Sequence, residues 1–434
     1  MFRNCVNLSS AFKAKIPNDP VNISRMFQGC KKVTRLPEGL DFPWLTAAQI
    51  AFSDCQLLSA LPDSFKCQSL TNGYYMFENC RSLSALPPGF TCPGLSEAGH
   101  IFSACVALSG LPSGFTSQCI RNASCMFKGC SGLLGLPDGF SAPSATDTSQ
   151  MFASCSSLLG LPKGFGAPNA LNASQMFRDC HSLSSLPEGF SAPNATNARY
   201  MFCNCRSLSS LPAGFSVPNA TDTSNMFINC RSLSAFPDGF SAPNTRNAEY
   251  MFTSCFSLQS MPDGFSSPSA TNTKSMFNSC SGLLGLPDGF ACLSTTSARN
   301  MFTNCFSLSA LPDGFSVPNT TNTRFMFSGC SSLSALPDGF SAQNTKNAGS
   351  MFAGCASLTR IGDGVKVASG AGAANADDTG MGKPLITSIG DSFEWFTNTV
   401  YEGDWDPALG VRNVFPNATS VGSGWRVYDH RDGE

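Results

Sequence analysis

Cysteine is the residue whose number and spacing invite chemistry. One stands at every twenty-fifth position from Cys5 to Cys355, fifteen in all, and six of the 21 cysteines lie off that ladder: Cys67, Cys92, Cys119, Cys125, Cys203 and Cys292. Thiols at fixed spacing first suggest metal binding or redox work. A zinc site needs about four convergent ligands, and cysteines one repeat apart form a line, not a tetrahedron. Cys203-Asn204-Cys205 lacks the usual ligand spacing. A shared phase implies a shared environment, and a buried free cysteine behaves as a small hydrophobe, so the ladder is expected to pack in a core. Cys67 and Cys92 each follow a ladder cysteine by twelve residues, in adjacent repeats. Their Cα atoms should lie about one repeat apart, within the ~4.4–6.8 Å reach of a disulfide; two free loop thiols are the alternative.

Other chemistry finds less support. The histidines are His100, His181 and His430, with no Ser/His/Asp order and no His-Glu-x-x-His spacing. Asp138, Asp238, Asp263, Asp288, Asp313 and Asp338 recur between Pro and Gly, and a row of carboxylates invites calcium. Each repeat offers only one, and Lys163, Glu188 and Ala213 interrupt the row, so turn formation explains it. No enzyme activity, cofactor or metal is expected. Charged residues are 13% of the chain and the net charge is −2. Without a Lys/Arg block, nucleic-acid binding is not expected. No apolar run approaches the ~18 residues of a transmembrane segment.

The elements that must position these residues follow from a single repeat unit. The Phe of Met-Phe is present in all fifteen units, from Phe2 to Phe352, and the residue three after the ladder cysteine is Leu in fourteen, Val33 being the exception. A second apolar residue follows three places on, then usually Pro-x-Gly-Phe, as in Leu311-Pro312-Asp313-Gly314-Phe315. Phe, Cys, Leu, Leu and Phe form the inward set. Leu-x-x-Leu reads as a short strand that Pro ends, since Pro cannot donate a ladder hydrogen bond. Pro-Asp-Gly is a turn, Pro presetting φ and Gly accepting φ > 0. The next segment, such as Ser191 to Ala198, is polar and loop-like. Thr196 or Asn197 is placed to cap a helical turn that carries Met201-Phe202 inward.

The prediction is an α/β-type repeat solenoid, a rod or arc of about fifteen rungs over residues 1–365. Residues 366–383 form a Gly/Ala/Asp-rich linker, and 384–434 a C-terminal cap of decayed rungs. The cap holds three of the four tryptophans, Trp395, Trp405 and Trp425. Trp395-Phe396-Thr397-Asn398-Thr399 echoes Met-Phe-Thr-Asn-Cys, and Pro416-Asn417-Ala418-Thr419 echoes the loop. The end units diverge from the pattern, with Phe12-Lys13-Ala14-Lys15 in the first and Leu40-Asp41-Phe42-Pro43-Trp44 in the second. No signal-like segment precedes Met1-Phe2, and the expectation is a fragment whose export and anchoring parts lie elsewhere.

Met-Phe-x-x-Cys-x-Ser-Leu-x-x-Leu, with a Thr/Asn-rich crossing before the next Met-Phe, resembles the BspA-like leucine-rich repeat surface proteins, whose short repeats occur in Mycoplasma, Listeria and gut bacteria. The resemblance covers residues 1–365. Leu-Pro-Asp-Gly-Phe departs from the alternating Leu-x-Leu strand of many members. The resemblance implies a noncatalytic leucine-rich repeat solenoid on the bacterial surface, secreted or attached there, acting in adhesion to a host or bacterial surface protein or glycan.

Binding would use positions that vary within the fixed frame. One follows the ladder cysteine (Arg81, His181, Arg206, Arg231, Phe256, Phe306) and one precedes Met-Phe (Tyr74, Tyr75, Arg199, Tyr200, Tyr250, Arg324, Phe325). Exposed Arg and Tyr are residues that interfaces favour, so Arg199, Tyr200, Arg206, Arg231, Tyr250 and Phe256 are the candidate partner patch. Cys203 breaks the pattern beside them. A structural spacer or phage-fibre component of a virion is the alternative, because units alike in their exposed positions would suit it. A carbohydrate-binding or carbohydrate-active C-terminal region comes third, with Asp391, Glu394, Glu402, Asp404 and Asp406 as its carboxylates.

Overall fold

The computed structural model describes residues 2–9, 21–36, 42, 44–115 and 117–369, with strand segments at 388–389, 394–397, 420–421 and 426–429. Outside the described residues lie Phe12 to Lys15, Leu40, Asp41, Pro43, the linker beyond Ser369, Trp405, Trp425, Pro416 to Thr419, His430, Asp391, Glu402, Asp404 and Asp406. The chain divides into two compact units, Met1–Val217 and Pro218–Glu434. Both are built from the same kind of rung.

Between Cys180 and Cys205 in the first unit, the rung turns Leu183, Leu186, Phe190, Ala192, Ala195, Ala198, Met201 and Phe202 inward, all buried. Two phenylalanine ladders run through the core. Phe177 and Phe202 stack with ring centroids 5.4 Å apart, Phe190 and Phe215 at 6.0 Å, and Phe177 meets Phe190 edge-on at 5.7 Å. The second unit repeats this with Phe252 on Phe277 at 5.1 Å, Phe265 on Phe290 at 5.9 Å and Phe277 edge-on to Phe290 at 6.0 Å. Offset-stacked and edge-to-face rings are the two arrangements that the aromatic quadrupole favours.

Several expectations need correction. No helix occurs among the described residues, so the helical turn at Met-Phe is absent and the fold is a β-type coil rather than α/β. Asn197 does accept a hydrogen bond from the Arg199 N–H at 3.2 Å, but as a local Asx turn. A helix cannot propagate because Tyr200 and Asn204 both have left-handed backbones, with φ of 57° and 62°. Alternate N–H groups point along the stack instead: Gln175 donates to the Arg199 carbonyl at 2.8 Å, Phe177 to Met201 at 2.8 Å and Asp179 to Cys203 at 2.8 Å. Hydrogen bonds between rungs thus replace those within a helix.

The strand and the loop also exchange roles. Leu-x-x-Leu contributes little ladder: Ser184 N–H donates to the Leu159 carbonyl at 3.3 Å and Ser209 to Ser184 at 3.2 Å, one bond per step. The more continuous parallel pairing runs through the polar crossing. In the first unit it joins Asn122, Asp147, Asn172 and Asn197, and in the second Asp222, Asn247, Asn272, Ser297, Asn322 and Asn347. Small inward residues of the crossing, such as Ala195 and Ala198, let this backbone pack close to the core. The second unit puts Thr245, Thr273, Thr295, Thr320, Thr323 and Thr345 at the corresponding positions, all buried. Their hydroxyls need partners: Thr273 and Thr295 share a hydrogen bond at 2.9 Å, and Thr245 donates to the Ala220 carbonyl at 3.3 Å.

The Pro-Asp-Gly turn forms one residue out of the expected phase. Phe140 N–H donates to the Pro137 carbonyl at 3.1 Å and Gly139 has φ 80°. Pro137 is therefore the first residue of a type II turn, not its second, and glycine supplies the left-handed third position.

The ladder cysteines do more than fill space. Cys205 Sγ–H donates to the Phe177 carbonyl at 3.0 Å, and Cys255 to Phe227 at 3.2 Å. Each such carbonyl also accepts the N–H of its own rung's cysteine, as Phe177 does from Cys180 at 3.1 Å. The thiol is a small group that ties a buried lone pair of one rung to the next.

Toward the C-terminus eight short strands form among the described residues. They are β1 (Ala335–Leu336), β2 (Ser341–Ala342), β3 (Arg360–Ile361), β4 (Lys366–Ser369), β5 (Ser388–Ile389), β6 (Glu394–Thr397), β7 (Ser420–Val421) and β8 (Arg426–Asp429). They make two parallel sheets, β1-β3-β5-β7 and β2-β4-β6-β8. The first residues of the expected linker are thus strand. Leu336 pairs with Ile361 at the spacing of the repeat, but Ile361 with Ile389 and Ile389 with Val421 are more widely spaced, so rungs continue here at greater length. Trp395 pairs with Val367, not with a Met-Phe position. Its sequence echo of Met-Phe is out of register with the coil. Glu394, one of the third reading's carboxylates, pairs in register with Lys366 and Arg426.

Candidate functional site

Besides the turn glycine, the described rungs carry two rows of left-handed residues, one before the ladder cysteine and one before Met-Phe, and the two rows are filled differently. The one before the ladder cysteine is Asn4, Gly29, Asp54, Asn79, Ala104, Gly129, Ser154, Asp179, Asn204, Asn229, Ser254, Ser279, Asn304, Gly329 or Gly354. Except for Ala104, these are small or short polar residues, the types that tolerate this backbone. The row before Met-Phe mixes Cys125, Gln150, Gln175, Asn225, Ser275, Asn300 and Ser350 with the larger Arg25, Ile50, Tyr75, His100, Tyr200, Tyr250 and Phe325, the latter with φ between 57° and 60°. Its backbone is held by the coil, as where the Tyr75 N–H donates to the Gly99 carbonyl at 3.0 Å and the Tyr250 N–H to Lys274 at 2.9 Å. Large side chains therefore occupy a conformation that costs them roughly 1–2 kcal/mol each.

In the first unit this row builds two clusters. In one, Tyr75 stacks on His100 at 4.2 Å and meets Tyr74 edge-on at 4.4 Å. Gly99 makes room for it, because a Cβ there would stand 2.6 Å from Tyr74 Cε2. Burial, then the Tyr74 hydroxyl, pushes the Tyr75 phenol up to about 12. Burial, then the Lys128 charge, lowers the His100 imidazole. In the other cluster, the guanidinium of Arg199 lies 4.9 Å from the Tyr200 ring centre and that of Arg178 5.7 Å. Arg178 also pairs with Asp179 at 3.3 Å and donates to Gln175 at 3.0 Å. Asn204 Nδ2 donates to Asp179 at 2.6 Å, and the Asn204 carbonyl accepts both His181 Nδ1 at 3.0 Å and the Arg206 N–H at 2.9 Å.

In the second unit Arg231 lies over Phe256 at 5.5 Å, and Phe256 is 40% exposed. Lys274 lies over Tyr250 at 5.1 Å and pairs with Glu249 at 2.8 Å. Hydrogen bonds from Lys274, to Glu249 first and then Tyr250, hold its ammonium above the usual range. Arg324 covers Phe325 at 4.7 Å. An open polar groove of about 480 Å³ runs past Asn219, Thr221, Asn244, Arg246 and Thr271.

Of the expected patch, Arg199, Tyr200 and Arg206 belong to the first unit's basic cluster. Arg231 with Phe256, and Tyr250 with Lys274, form two pairings in the second unit. Sequence reasoning missed Arg178 and Lys274. Each comes from the rung next to the ring it covers, and folding the sequence at the period of the repeat would have brought them together. Cys203 is buried, and burial followed by the Asp179 charge pushes its thiol up to about 11, which removes it from reactive surface chemistry.

Cys67 and Cys92 are both buried, not in exposed loops. With Cys292 they occupy the inward position that other rungs fill with Ala192 or Val217. A thiol reagent is expected to modify native Cys5 and Cys119, the two exposed cysteines, and to leave Cys67 and Cys92 unlabelled. In denaturant without reductant, full labelling of both would establish two free thiols. Failure there, measured by peptide mass, would establish a disulfide instead.

The repeat is shared with other proteins. The family described as "Mycoplasma protein of unknown function, DUF285" matches residues 121–240, 172–290 and 246–363, together more than half of the chain. The chain belongs to the DUF285 family. The matched segments step along the DUF285 coil and cover the Arg178–Tyr200 cluster and the Lys274–Tyr250 pair. No curated protein matches the sequence. Among solved structures, an internalin from Listeria monocytogenes is similar at 12% identity and TM-score 0.28, covering 73% of this chain and 81% of its own. A leucine-rich repeat protein from Eubacterium ventriosum is similar at 11% identity and TM-score 0.28, covering 84% and 90%.

Proposed function

We propose that this chain is a noncatalytic scaffold of the bacterial surface, of BspA-like character, that adheres to a macromolecular partner through the left-handed row before Met-Phe. The observation that carries this reading is the contrast between the two left-handed rows. One uses the residues its backbone favours. The other sets Tyr75, His100, Tyr200, Tyr250 and Phe325 in a conformation costly to them. Backbone strain concentrates where a protein needs a particular side chain displayed, and Tyr and Arg dominate interface energetics. The Mycoplasma description of the family is in keeping with a bacterial source.

The test separates binding from folding. Replacing Tyr75, Tyr200, Tyr250 and Phe325 by Asn relieves roughly 1–2 kcal/mol of backbone cost per site. It removes cation–π pairs worth about 0.5–1 kcal/mol at exposed sites. The net expectation is a more stable chain, by up to about 1 kcal/mol per site, whose retention on bacterial or host cell surfaces falls at least about tenfold. Denaturant midpoints and flow cytometry with labelled protein read the two effects. Higher stability with unchanged retention would discard the row as the contact surface. Absence of retention by the parent protein on every surface would favour the spacer reading.

A further inference from the structure

The basic cluster of the first unit has a chemistry of its own. The chain carries a net charge of −2, yet Arg178 and Arg199 gather over one phenol ring, with exposed Arg206 two residues past Asn204. Their contacts form one connected chain. Arg199 and Arg178 share the Tyr200 ring, Arg178 pairs with Asp179, Asp179 accepts Asn204, and the Asn204 carbonyl receives His181 and the Arg206 N–H. A carbonyl can only accept, so His181 donates through Nδ1 and keeps Nε2 for another partner. Among the described residues only Arg178 of the three arginines makes an ion pair, and Asp179 is its acid. Arg199 and Arg206 are exposed. Three guanidiniums against one carboxylate leave an excess of planar, weakly hydrated donors, the groups best suited to oxyanions.

Deepening the adhesion reading above, on which it rests, we propose that Arg178 and Arg199 over Tyr200, with exposed Arg206 on the next rung, bind the acidic substituents of a polysaccharide, its sulfate or uronate groups. The surroundings favour a glycan over an acidic protein. Gln175 accepts from Arg178, and the chain neighbours of the arginines, Ser174, Ser182, Asn197 and Ser207, supply hydroxyls and amides that match sugar hydroxyls. The exposed large apolar side chains of this stretch, Leu159 and Leu171, lie on the Leu-x-x-Leu segment and the polar crossing, not around the Met-Phe-x-x-Cys segment that carries the arginines. A nucleic acid would ask for a longer basic stripe than two rungs supply.

The full chain is titrated with dextran sulfate, neutral dextran and poly-glutamate by biolayer interferometry. Dextran sulfate is expected to bind, and to bind more weakly as salt rises from about 50 to about 500 mM, an ion-pair signature at roughly Debye-length scale. R178Q/R199Q/R206Q should weaken it at least about tenfold, while K346Q/R360Q, exposed cations of the second unit, should leave it unchanged. Circular dichroism checks that both variants fold. The proposal is overturned if neutral dextran binds as well, if the triple variant binds like the parent, or if poly-glutamate binds as tightly as dextran sulfate. If dextran sulfate fails while the Tyr-to-Asn variant still loses cell retention, the adhesive row stands and only the anionic-glycan assignment falls.

Discussion

Raising the pH from 9 to 11 is expected to unfold the coil. The cause is the cysteine ladder. Burial pushes the thiols of Cys55, Cys130, Cys255, Cys305 and Cys355 up to about 12, from an ordinary value of 9.0, and off-ladder Cys292 likewise. Their folded values are raised, so below 9 both states hold the proton and the stability is fully present. Between 9 and 12 the unfolded chain releases protons that the folded chain keeps. Each thiol then removes up to roughly 1.4 kcal/mol per pH unit. The four in the second unit together remove roughly 4 kcal/mol between pH 9 and 10, and more above it, a large part of the whole stability of a typical domain, about 5–15 kcal/mol. Ionisation also abolishes the Sγ–H bond, leaving a thiolate against the Phe227 carbonyl at the 3.2 Å now held by Cys255. Circular dichroism against pH, in reductant, should show a reversible transition beginning just above 9. In C255A/C305A the stability should fall less steeply with pH, by roughly 2.8 kcal/mol per unit. Stability that stays flat from 8 to 11 would show that the ladder thiols are not buried as a set.

Phe177→Ala should cost about 3–5 kcal/mol. Phe177 is fully buried, stacked between Phe152 at 5.5 Å and Phe202 at 5.4 Å, with Phe190 edge-on at 5.7 Å. Neighbouring rungs are held by their own backbone bonds, so they cannot collapse to fill the space. Each rung packs only on its neighbours, and the damage should be local, with faster amide exchange across residues 150–205 and little change beyond Phe115 on the near side. Phe256→Ala is the comparison: Phe256 is 40% exposed and gains mainly from Arg231, so its loss should cost under about 1 kcal/mol. Equal denaturant midpoints for the two variants would mean that the phenylalanine stack does not carry the fold.

The candidate surface was half legible. Arg199, Tyr200, Arg206, Arg231, Tyr250 and Phe256 stand out in the sequence because they depart from the repeat, and the pairings at Tyr200 and Phe256 are real contacts. Their partners Arg178 and Lys274 were not legible locally, because they belong to the neighbouring repeat and meet the ring only when rungs stack. The strain that marks the row was invisible too. A tyrosine before Met-Phe looks like any tyrosine until its φ of 57° is known.

By itself the sequence determined the period, the inward Phe, Leu and Cys, and the glycine of each turn, since these rest on side-chain volume and hydrophobicity recurring once per unit. Only the tertiary structure decided the path of the backbone between them. It replaced a helical turn at Met201-Phe202 by two left-handed residues and moved the more continuous parallel pairing into the polar crossing. It turned Cys67, Cys92 and Cys292 inward, and paired Trp395 with Val367. The physical reason is common to all of these. Local preferences at Tyr200 or Ala195 amount to about 1–2 kcal/mol, whereas each rung gains a set of backbone hydrogen bonds to the next, and those bonds exist only once the coil has closed.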